Sequence, residues 1–444
     1  MNVTQFLPQF GNVAFTLVAF VIALSIIVAI HEYGHYIVGR WTGIKAEVFS
    51  LGFGPVLFAR TDRHGTRWQV AALPFGGYVK FLGDANAASM GGAEGSVPAP
   101  DRRHTMLGAP LWARVLTVAA GPVANFLLTI LLFIGLGLSQ GQAVDPLAIA
   151  ELAPLPEGYA QELRPGDEIL AIEGQEVTTT SLGELVEDFP SAPSLDYRIR
   201  RDGEELTVQG PHPFPPIAGS VSPNSAAWDV GVRADDLVLS LDDRQVWTFD
   251  DLVDIVMASE GRPLGMTVWR DGEELEFTVV PRRTDLPLPE GGFETRWLLG
   301  LSAGSFFVPE TETLGLPAAL GNAFSSLWFI ITTTLSGIGH MITGDISTCN
   351  LSGPVGIAET SGAAASQGAT TFLSMVAGLS AAVGLMNLFP IPVLDGGHLV
   401  FHAWEGLTGR PPGDRALRVL MAAGLSLLLT LMVWAVANDL VLCP

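Results

Sequence analysis

The sequence predicts a polytopic α-helical membrane protein: four transmembrane helices, a membrane-associated β-hairpin region after the first, and two tandem β-rich domains between the second and third. Three observations predict this. Four apolar runs, residues 13–30, 115–138, 371–394 and 419–437, each approach the ~20 residues that a spanning helix needs. Charge is segregated: residues 141–312 hold 11 basic and 33 acidic residues, while the rest of the 444-residue chain holds 12 of each. Within that acidic region, two separate stretches match each other at one offset of 69 residues, the signature of an internal repeat.

The first run contains no charge over the 18 residues from Val13 to Ile30 and ends in His31-Glu32-Tyr33-Gly34-His35. No Lys or Arg precedes Arg40, and no small-residue cleavage site follows, so the run reads as a retained helix and not a removed signal peptide. On a helix, two histidines four residues apart share one face and can both reach a tetrahedral metal, with Glu32 beside them as general base for an activated water. An ionisable cluster against a hydrocarbon-length run is costly unless it lines a protein cavity, so function is the default reading.

Residues 47–82 change to short β-prone stretches. Residues 56–59 and 68–72 flank Asp62-Arg63-His64-Gly65, a hairpin turn, and Pro74-Phe75-Gly76-Gly77-Tyr78 continues as extended chain. Backbone outside a helix is tolerated at membrane depth only when it is buried in protein or lines a cavity. This sheet therefore either dips beside the histidines or stays wholly in the cytoplasm. Residues 85–100 are rich in Ala, Gly and Ser and read as a loop.

Nine basic residues lie between Arg40 and Arg114, and Arg410, Arg415 and Arg418 flank the last helix. By the positive-inside rule both loops are cytoplasmic, with the acidic region and both termini on the other side. Strong acidity argues against nucleic acid and against docking on anionic lipid. Cys349 and Cys443 are far apart and lack CxxC spacing, so neither a disulfide framework nor a thiolate metal site is indicated.

In the repeat, Gly166-Asp167-Glu168-Ile169-Leu170-Ala171-Ile172 through Val177 aligns with Asp235-Asp236-Leu237-Val238-Leu239-Ser240-Leu241 through Val246. Arg201-Asp202-Gly203-Glu204-Glu205-Leu206 aligns with Arg270-Asp271-Gly272-Glu273-Glu274-Leu275. Each unit reads strand, turn, strand, helix (182–188 or 249–257), then a hairpin closed by Asp-Gly. The pattern resembles PDZ domains, which add an extended peptide to a sheet edge and hold its carboxylate on backbone amides. The second copy, with Ser222-Pro223-Asn224-Ser225-Ala226-Ala227 before Gly231-Val232, fits better than the first, where Leu155-Pro156-Glu157-Gly158 stands. Peptide binding and a purely structural role as a filter or lid both remain open from the residues alone.

A two-histidine metal site needs a third protein ligand. The candidate is Asp395, at the end of Asn387-Leu388-Phe389-Pro390-Ile391-Pro392-Val393-Leu394-Asp395-Gly396-Gly397. Taken alone, Asp395 also fits a helix cap. Pro390 and Pro392 break the helical ladder and bend the chain where a substrate approaches, and the Asn387 amide can donate to a peptide carbonyl. His398 and His402 share the same spacing but have no further acid or cysteine to complete a site; Trp41 and Trp404 read as interfacial anchors. A fifth apolar run, 324–342, is nearly long enough to span. Spanning would reverse the following helix and leave Asp395 about 30 Å from His35, so it is read as interfacial or surface-packed.

Together, HEYGH in the first helix, Gly121-Pro122-Val123-Ala124-Asn125-Phe126 in the second, Leu351-Ser352-Gly353-Pro354-Val355-Gly356-Ile357 before the third and NLFPIPVLDGG within it resemble the site-2 protease family over essentially the whole chain. The resemblance implies a single Zn2+ held by His31, His35 and Asp395, with Glu32 as the base and Asn387 positioning substrate. It also implies cleavage of transmembrane helices of single-pass proteins such as anti-sigma factors or signal-peptide remnants, after an upstream site-1 type protease has removed the extracytoplasmic domain. The location implied is the bacterial inner (cytoplasmic) membrane, with the PDZ-like pair periplasmic and the active site near the cytoplasmic side.

The resulting plan is an N-terminal membrane half (1–140), PDZ-like domains at 141–214 and 215–284, a linker with an interfacial helix (285–370) and a C-terminal membrane half (371–444). Gly76, Gly77 and Tyr78 join Asn387, Pro390 and Pro392 as candidate substrate-binding residues, because a strand edge there can replace the hydrogen bonds that a helical substrate loses on unwinding. The rival readings are a non-catalytic PDZ-type scaffold with a structural metal and a metal transporter. Glu32 argues against the first, and the lack of a second metal position along a path argues against the second.

Overall fold

The computed structural model describes residues 7–83, 99–179, 181–222, 225–288 and 292–442. Pro223, Asn224, Cys443 and nearly all of the 85–100 loop lie outside the described residues. The chain divides into two compact units, one of residues 1–136, 316–339 and 351–444, the other of residues 137–315 and 340–350.

In the first unit, α1 (Leu7–Trp41) runs unbroken through the whole HEYGH motif, so the histidines sit inside the helix and not at its end. The antiparallel pair β1 (Ala46–Thr61) and β2 (Arg67–Phe81) follows. Their turn is the one the sequence predicts: Asp62 Oδ1 accepts from the backbone of His64 at 2.8 Å and of Thr66 at 3.0 Å. Both strands bend, so residues 48–51 of β1 pair with 67–70 of β2 and also with 77–80. Helix α2 (Leu111–Gln140) packs closely on α1. A first side-chain carbon on Gly34 would meet the carbonyl of Ala120 and come within 2.8 Å of the Ala124 methyl, so only hydrogen fits there.

The second unit realises the 69-residue offset. Its first copy holds β3 (Gln142–Ala143), β4 (Leu147–Leu152), β5 (Glu168–Ile172), β6 (Gln175–Glu176), a single turn of α3 (Leu182–Leu185), β7 (Leu195–Arg201) and β8 (Glu204–Gly210). The second holds β9 (Ala218–Val221), α4 (Ala226–Val230), β10 (Leu237–Leu241), β11 (Arg244–Gln245), α5 (Phe249–Ala258), β12 (Leu264–Arg270) and β13 (Glu273–Val279). Strands β7 and β8 pair as a hairpin, as do β12 and β13 at the matching positions. Separate cores form around Ile149, Ile169 and Tyr197 and around Val238, Leu264 and Val268.

After the hairpin β14 (Arg282–Pro287) and β15 (Phe293–Leu298), the chain returns through both copies. β16 (Leu301–Ala303) pairs with β9, and β17 (Phe307–Pro309) pairs with β4. Between them Phe306, fully buried, enters the first core, and β18 (Thr311–Glu312) pairs with β3. Cys349 is engaged in a disulfide, a cross-link that cysteine spacing had not indicated.

Among the described residues, five helices are long and apolar enough to cross a membrane: α1, α2, α6 (Leu316–Thr343), α8 (Ala369–Asn387) and α10 (Asp414–Ala437) with its short π-helical extension. Composition and length thus make this a multi-pass membrane protein and leave α6 among the candidates. The third predicted span is shorter than its apolar run. It stops at Asn387, residues 388–394 leave the helix, and a separate α9 (Asp395–Thr408) begins at Asp395. Pro390 and Pro392, which cannot donate to a helical ladder, account for the break.

The Leu351–Ile357 motif is the start of α7 (Pro354–Ser366). Its glycines and proline clear the way for Asp439, whose carboxylate accepts from the backbone of Gly353 at 2.8 Å and of Val355 and Gly356 at 3.0 Å. A carboxylate there satisfies orphan donors and complements the helix dipole.

Each copy of the repeat is locked by the same buried ion pair. Arg201 Nε donates to Asp167 at 2.6 Å and its Nη2 to the carbonyl of Glu162 at 3.0 Å. Arg270 does the same to Asp236 at 2.6 Å and to the carbonyl of Gly231 at 2.9 Å. Both aspartates are 1% exposed. Removing one partner of such a pair strands a buried charge, which costs about 3–5 kcal/mol. Arg270→Ala, which strands the buried Asp236, is therefore expected to unfold the second copy selectively, seen as new protease cleavage within 215–284 while residues 141–214 stay resistant.

Candidate metal centre

His31 and His35 lie one turn apart on α1, their rings edge-on with centroids 4.8 Å apart. Asp395 reaches them from the first residue of α9. The two imidazole Nε2 atoms are 3.2 Å apart, and Asp395 Oδ2 lies 3.1 Å from that of His31 and 3.4 Å from that of His35. Among the described residues this is the one group of three such side chains that could hold a metal ion. A tetrahedral zinc with 2.0–2.1 Å bonds separates its ligand atoms by about 3.3–3.4 Å. The observed separations of 3.1, 3.2 and 3.4 Å are close to that spacing, two of them slightly shorter. Asp395 Oδ2 is also buried without a hydrogen-bond partner, as expected of an atom reserved for a cation. The donor set fits zinc, with a fourth position left for water or substrate.

The site is built from neighbouring glycines. A side chain at Gly121 of α2 would drive its first carbon into Nε2 of His35 and to 2.8 Å from Nε2 of His31. On α9, Gly396 and Gly397 are buried against the carbonyls of Leu388, Phe389 and Ile391, so residues 388–394 can fold back and deliver Asp395 to α1. His35 Nδ1 lies 2.8 Å from the carbonyl of Thr117. A carbonyl only accepts, so Nδ1 carries the proton and the Nε2 lone pair faces the centre.

Glu32, between the two histidines in sequence, is hydrogen-bonded by the backbone amide of Val79. A side chain on Gly77 would sit 3.3 Å from Glu32 Cγ and 2.9 Å from a Val28 methyl, so this part of β2 runs directly against the glutamate. Gly76 holds φ 129°, with the Phe53 ring where a side chain would be. Tyr78 stacks on Phe53, centroids 5.9 Å apart, and its hydroxyl accepts from Gln69 Nε2 at 3.3 Å.

Asn387 ends α8, and its amide donates to its own helix at Val383 O, 3.0 Å away. Pro390 is exposed on the non-helical segment, while Pro392 is backed by Gly424 of α10. Ala29, Ile30 and Tyr33 of α1 and Leu51, Phe58 and Trp68 of the sheet line an apolar groove of about 340 Å³, to which none of His31, Glu32, His35 and Asp395 contributes. His398 and His402 join no metal-ligand group among the described residues, and Trp41 and Trp404 are exposed.

Sequence reasoning assigns no role to four features that support the centre: the Thr117 carbonyl, Gly121, Asn125 and an ion pair between Arg114 and Glu405. The last joins α2 to α9 by two hydrogen bonds of 2.9 and 2.6 Å. The Arg114 guanidinium holds the Glu405 carboxyl below the usual glutamate range. The pair is separated by 291 residues, and no local pattern predicts it. Gly121 and Asn125 lie in the GPVANF motif, which marks the family without revealing geometry.

Two imidazoles and a carboxylate at metal-ligand spacing, with a glutamate beside them on an apolar helix of a multi-pass chain, define an intramembrane metalloprotease. The chain belongs to peptidase family M50, the site-2 protease family, whose model matches residues 19–431. It is 35% identical over 435 residues to a Rhizobium meliloti protein named "Putative zinc metalloprotease", covering 97% of each chain. It is 32% identical over 460 residues to the regulator of sigma-E protease RseP of Salmonella typhimurium, covering 96% of this chain and 99% of that one. Against the RseP of Escherichia coli K12 the identity is 31% over 454 residues, covering 95% and 98%.

Because the Gly121 position is filled by the two ligand rings, Gly121→Val is expected to displace them and lower zinc affinity at least tenfold. Metal analysis of the purified variant, normalised to protein, checks this; full zinc occupancy would contradict the packing argument.

Proposed function

We propose that this chain hydrolyses peptide bonds in the transmembrane segments of single-pass membrane proteins, using one zinc ion held by His31, His35 and Asp395 and Glu32 as general base. The observation that carries this reading is the near-tetrahedral spacing of the three ligand atoms next to a half-buried glutamate. When bound, zinc supplies Lewis acidity to water and to the scissile carbonyl. Glu32 takes the proton of the attacking water and returns it to the leaving amine. A structural metal site has no use for such a base.

A transmembrane helix hides its amides in internal hydrogen bonds, so the substrate must be unwound before it is cut. The 76–80 segment of β2, brought against Glu32 by Gly77, offers backbone groups to the unwound strand in the manner of β-augmentation. Tyr78 and Gly76 shape that strand, and Asn387, with Pro390 and Pro392 beside it, holds the substrate from the opposite side. Gly77→Pro is expected to cut the cleavage rate at least tenfold while zinc content stays near one per chain. Equal loss of zinc and activity would remove this division of labour.

The same reading has four spans, with α6 interfacial, because α1 and α8 must run the same way for His35 and Asp395 to meet. It puts the PDZ-like pair on the periplasmic side of the bacterial inner membrane and the metal centre toward the cytoplasm. The disulfide at Cys349 supports an oxidising, extracytoplasmic position for its unit. The two PDZ-like copies then screen substrates or bind their trimmed ends. The substrates are of the anti-sigma factor or signal-peptide remnant type, already shortened by an upstream site-1 type protease.

The test is cleavage of a single-pass reporter, trimmed of its extracytoplasmic domain, by purified wild type and by Glu32→Gln at matched zinc content. Cleavage by wild type is expected, with a loss of at least a hundredfold in the variant. If neither cuts while both hold zinc and bind peptide ends, the protein is a scaffold with a structural metal.

A further inference from the structure

We infer that Asn125 is a positioning residue for the metal centre: its side-chain oxygen accepts a hydrogen bond from Nδ1 of His31 and so fixes the tautomer that presents Nε2 to the ion. This rests on the proposed zinc site and adds to it the group that orients the second histidine, as the Thr117 carbonyl orients the first.

Asn125 is fully buried on α2. Its amide nitrogen lies 3.3 Å from His31 Nδ1, while its amide oxygen is buried with no hydrogen-bond partner. In that orientation His31 Nδ1 must accept, and the ring proton then sits on Nε2. That nitrogen faces Asp395 Oδ2 at 3.1 Å and His35 Nε2 at 3.2 Å, so the proton would occupy the direction of the metal. Half a turn of the amide about its last side-chain bond exchanges nitrogen and oxygen. The oxygen then faces Nδ1–H, and Nε2 is free to ligate. Metal-ligating histidines ordinarily donate their second N–H to such an acceptor.

The backbone beneath Asn125 is held as a positioning role requires. Its carbonyl accepts from Ser380 of α8 at 3.0 Å and from Thr129 at 3.1 Å. Thr129 also donates to the carbonyl of Ala377 at 2.9 Å. Gly384 of α8 closes the packing, since a carbon added there would stand 3.2 Å from Asn125 Cβ. Three contacts from one helix thus lock the turn of α2 that carries the amide, and none of them involves the metal ligands.

The experiment is zinc affinity, measured on the metal-stripped, full-length protein in detergent by competition with a chromophoric chelator, for wild type, Asn125→Asp and Asn125→Leu. Aspartate keeps an acceptor at the position and cannot donate when ionised, so it discriminates by itself between the two amide orientations. The expected result is affinity in Asn125→Asp within threefold of wild type or tighter, and a 10- to 100-fold loss in Asn125→Leu. A tenfold loss in Asn125→Asp, or no loss in a folded Asn125→Leu, overturns the inference. If the leucine variant fails to fold, the aspartate comparison still decides. Absence of stoichiometric zinc binding in wild type instead rejects the underlying metal reading.

Discussion

The membrane unit is organised around one requirement: a carboxylate must stand beside two imidazoles in surroundings where an unpaired charge is expensive. Asp395 cannot reach α1 from a continuous third helix, because a straight α8 would carry it past the histidines. The break at 388–394 solves this by stopping α8 at Asn387 and starting α9 at the aspartate itself. Several of the closest backbone approaches around the centre fall on glycines. Gly121 clears the ligand rings, Gly396 and Gly397 clear the returning carbonyls, Gly77 clears Glu32, and Gly34 lets α1 and α2 approach. A Cβ at any of these would push apart groups whose separations set metal affinity.

Rigidity comes from outside the ligand shell. The bidentate Arg114–Glu405 pair ties α9 to α2, and α2 carries both the Thr117 carbonyl and Asn125. One helix therefore registers the histidines through hydrogen bonds and the aspartate through an ion pair. The acidic unit uses the same chemistry for a different end. There the buried Arg–Asp pairs recur at the 69-residue spacing, and each arginine also caps a carbonyl of the preceding loop. The repetition of these contacts in three dimensions shows that the two copies share a fold and not merely a composition.

What the residues disclosed follows the range of the forces involved. Apolar runs and HExxH spacing are local periodic signals, and they located α1, α2, α8, α10 and the histidine pair. Asp395 was legible as the candidate third ligand because a lone acid beside a broken apolar run is costly there unless a cation or a donor meets it. The length of the third helix was misjudged because hydropathy continues through Leu388–Leu394 although Pro390 and Pro392 end the ladder. The strands β16 and β17 were illegible because three residues make no pattern, and their partners β9 and β4 lie far back in the chain. The supports of the centre, Thr117, Gly121 and Asn125, act through a carbonyl, an absent side chain and an amide orientation, none of which composition or spacing encodes.

The resting state of Asn387 bears on how a substrate would be admitted. Its amide donates one N–H to Val383 on its own helix at 3.0 Å, which fixes the side-chain orientation. An amide nitrogen carries two hydrogens, so the second can meet a substrate carbonyl without breaking that bond. Tyr78 is likewise engaged, with Gln69 and Phe53. In the proposed reading, the drive to hold an unwound strand comes mainly from backbone pairing along 76–80, to which Asn387 adds one side-chain hydrogen bond. Such a site is tolerant of side-chain sequence and sensitive to whether the segment can be extended at all. In that reading, helix stability in the substrate, more than its residue identities, would decide what is cut.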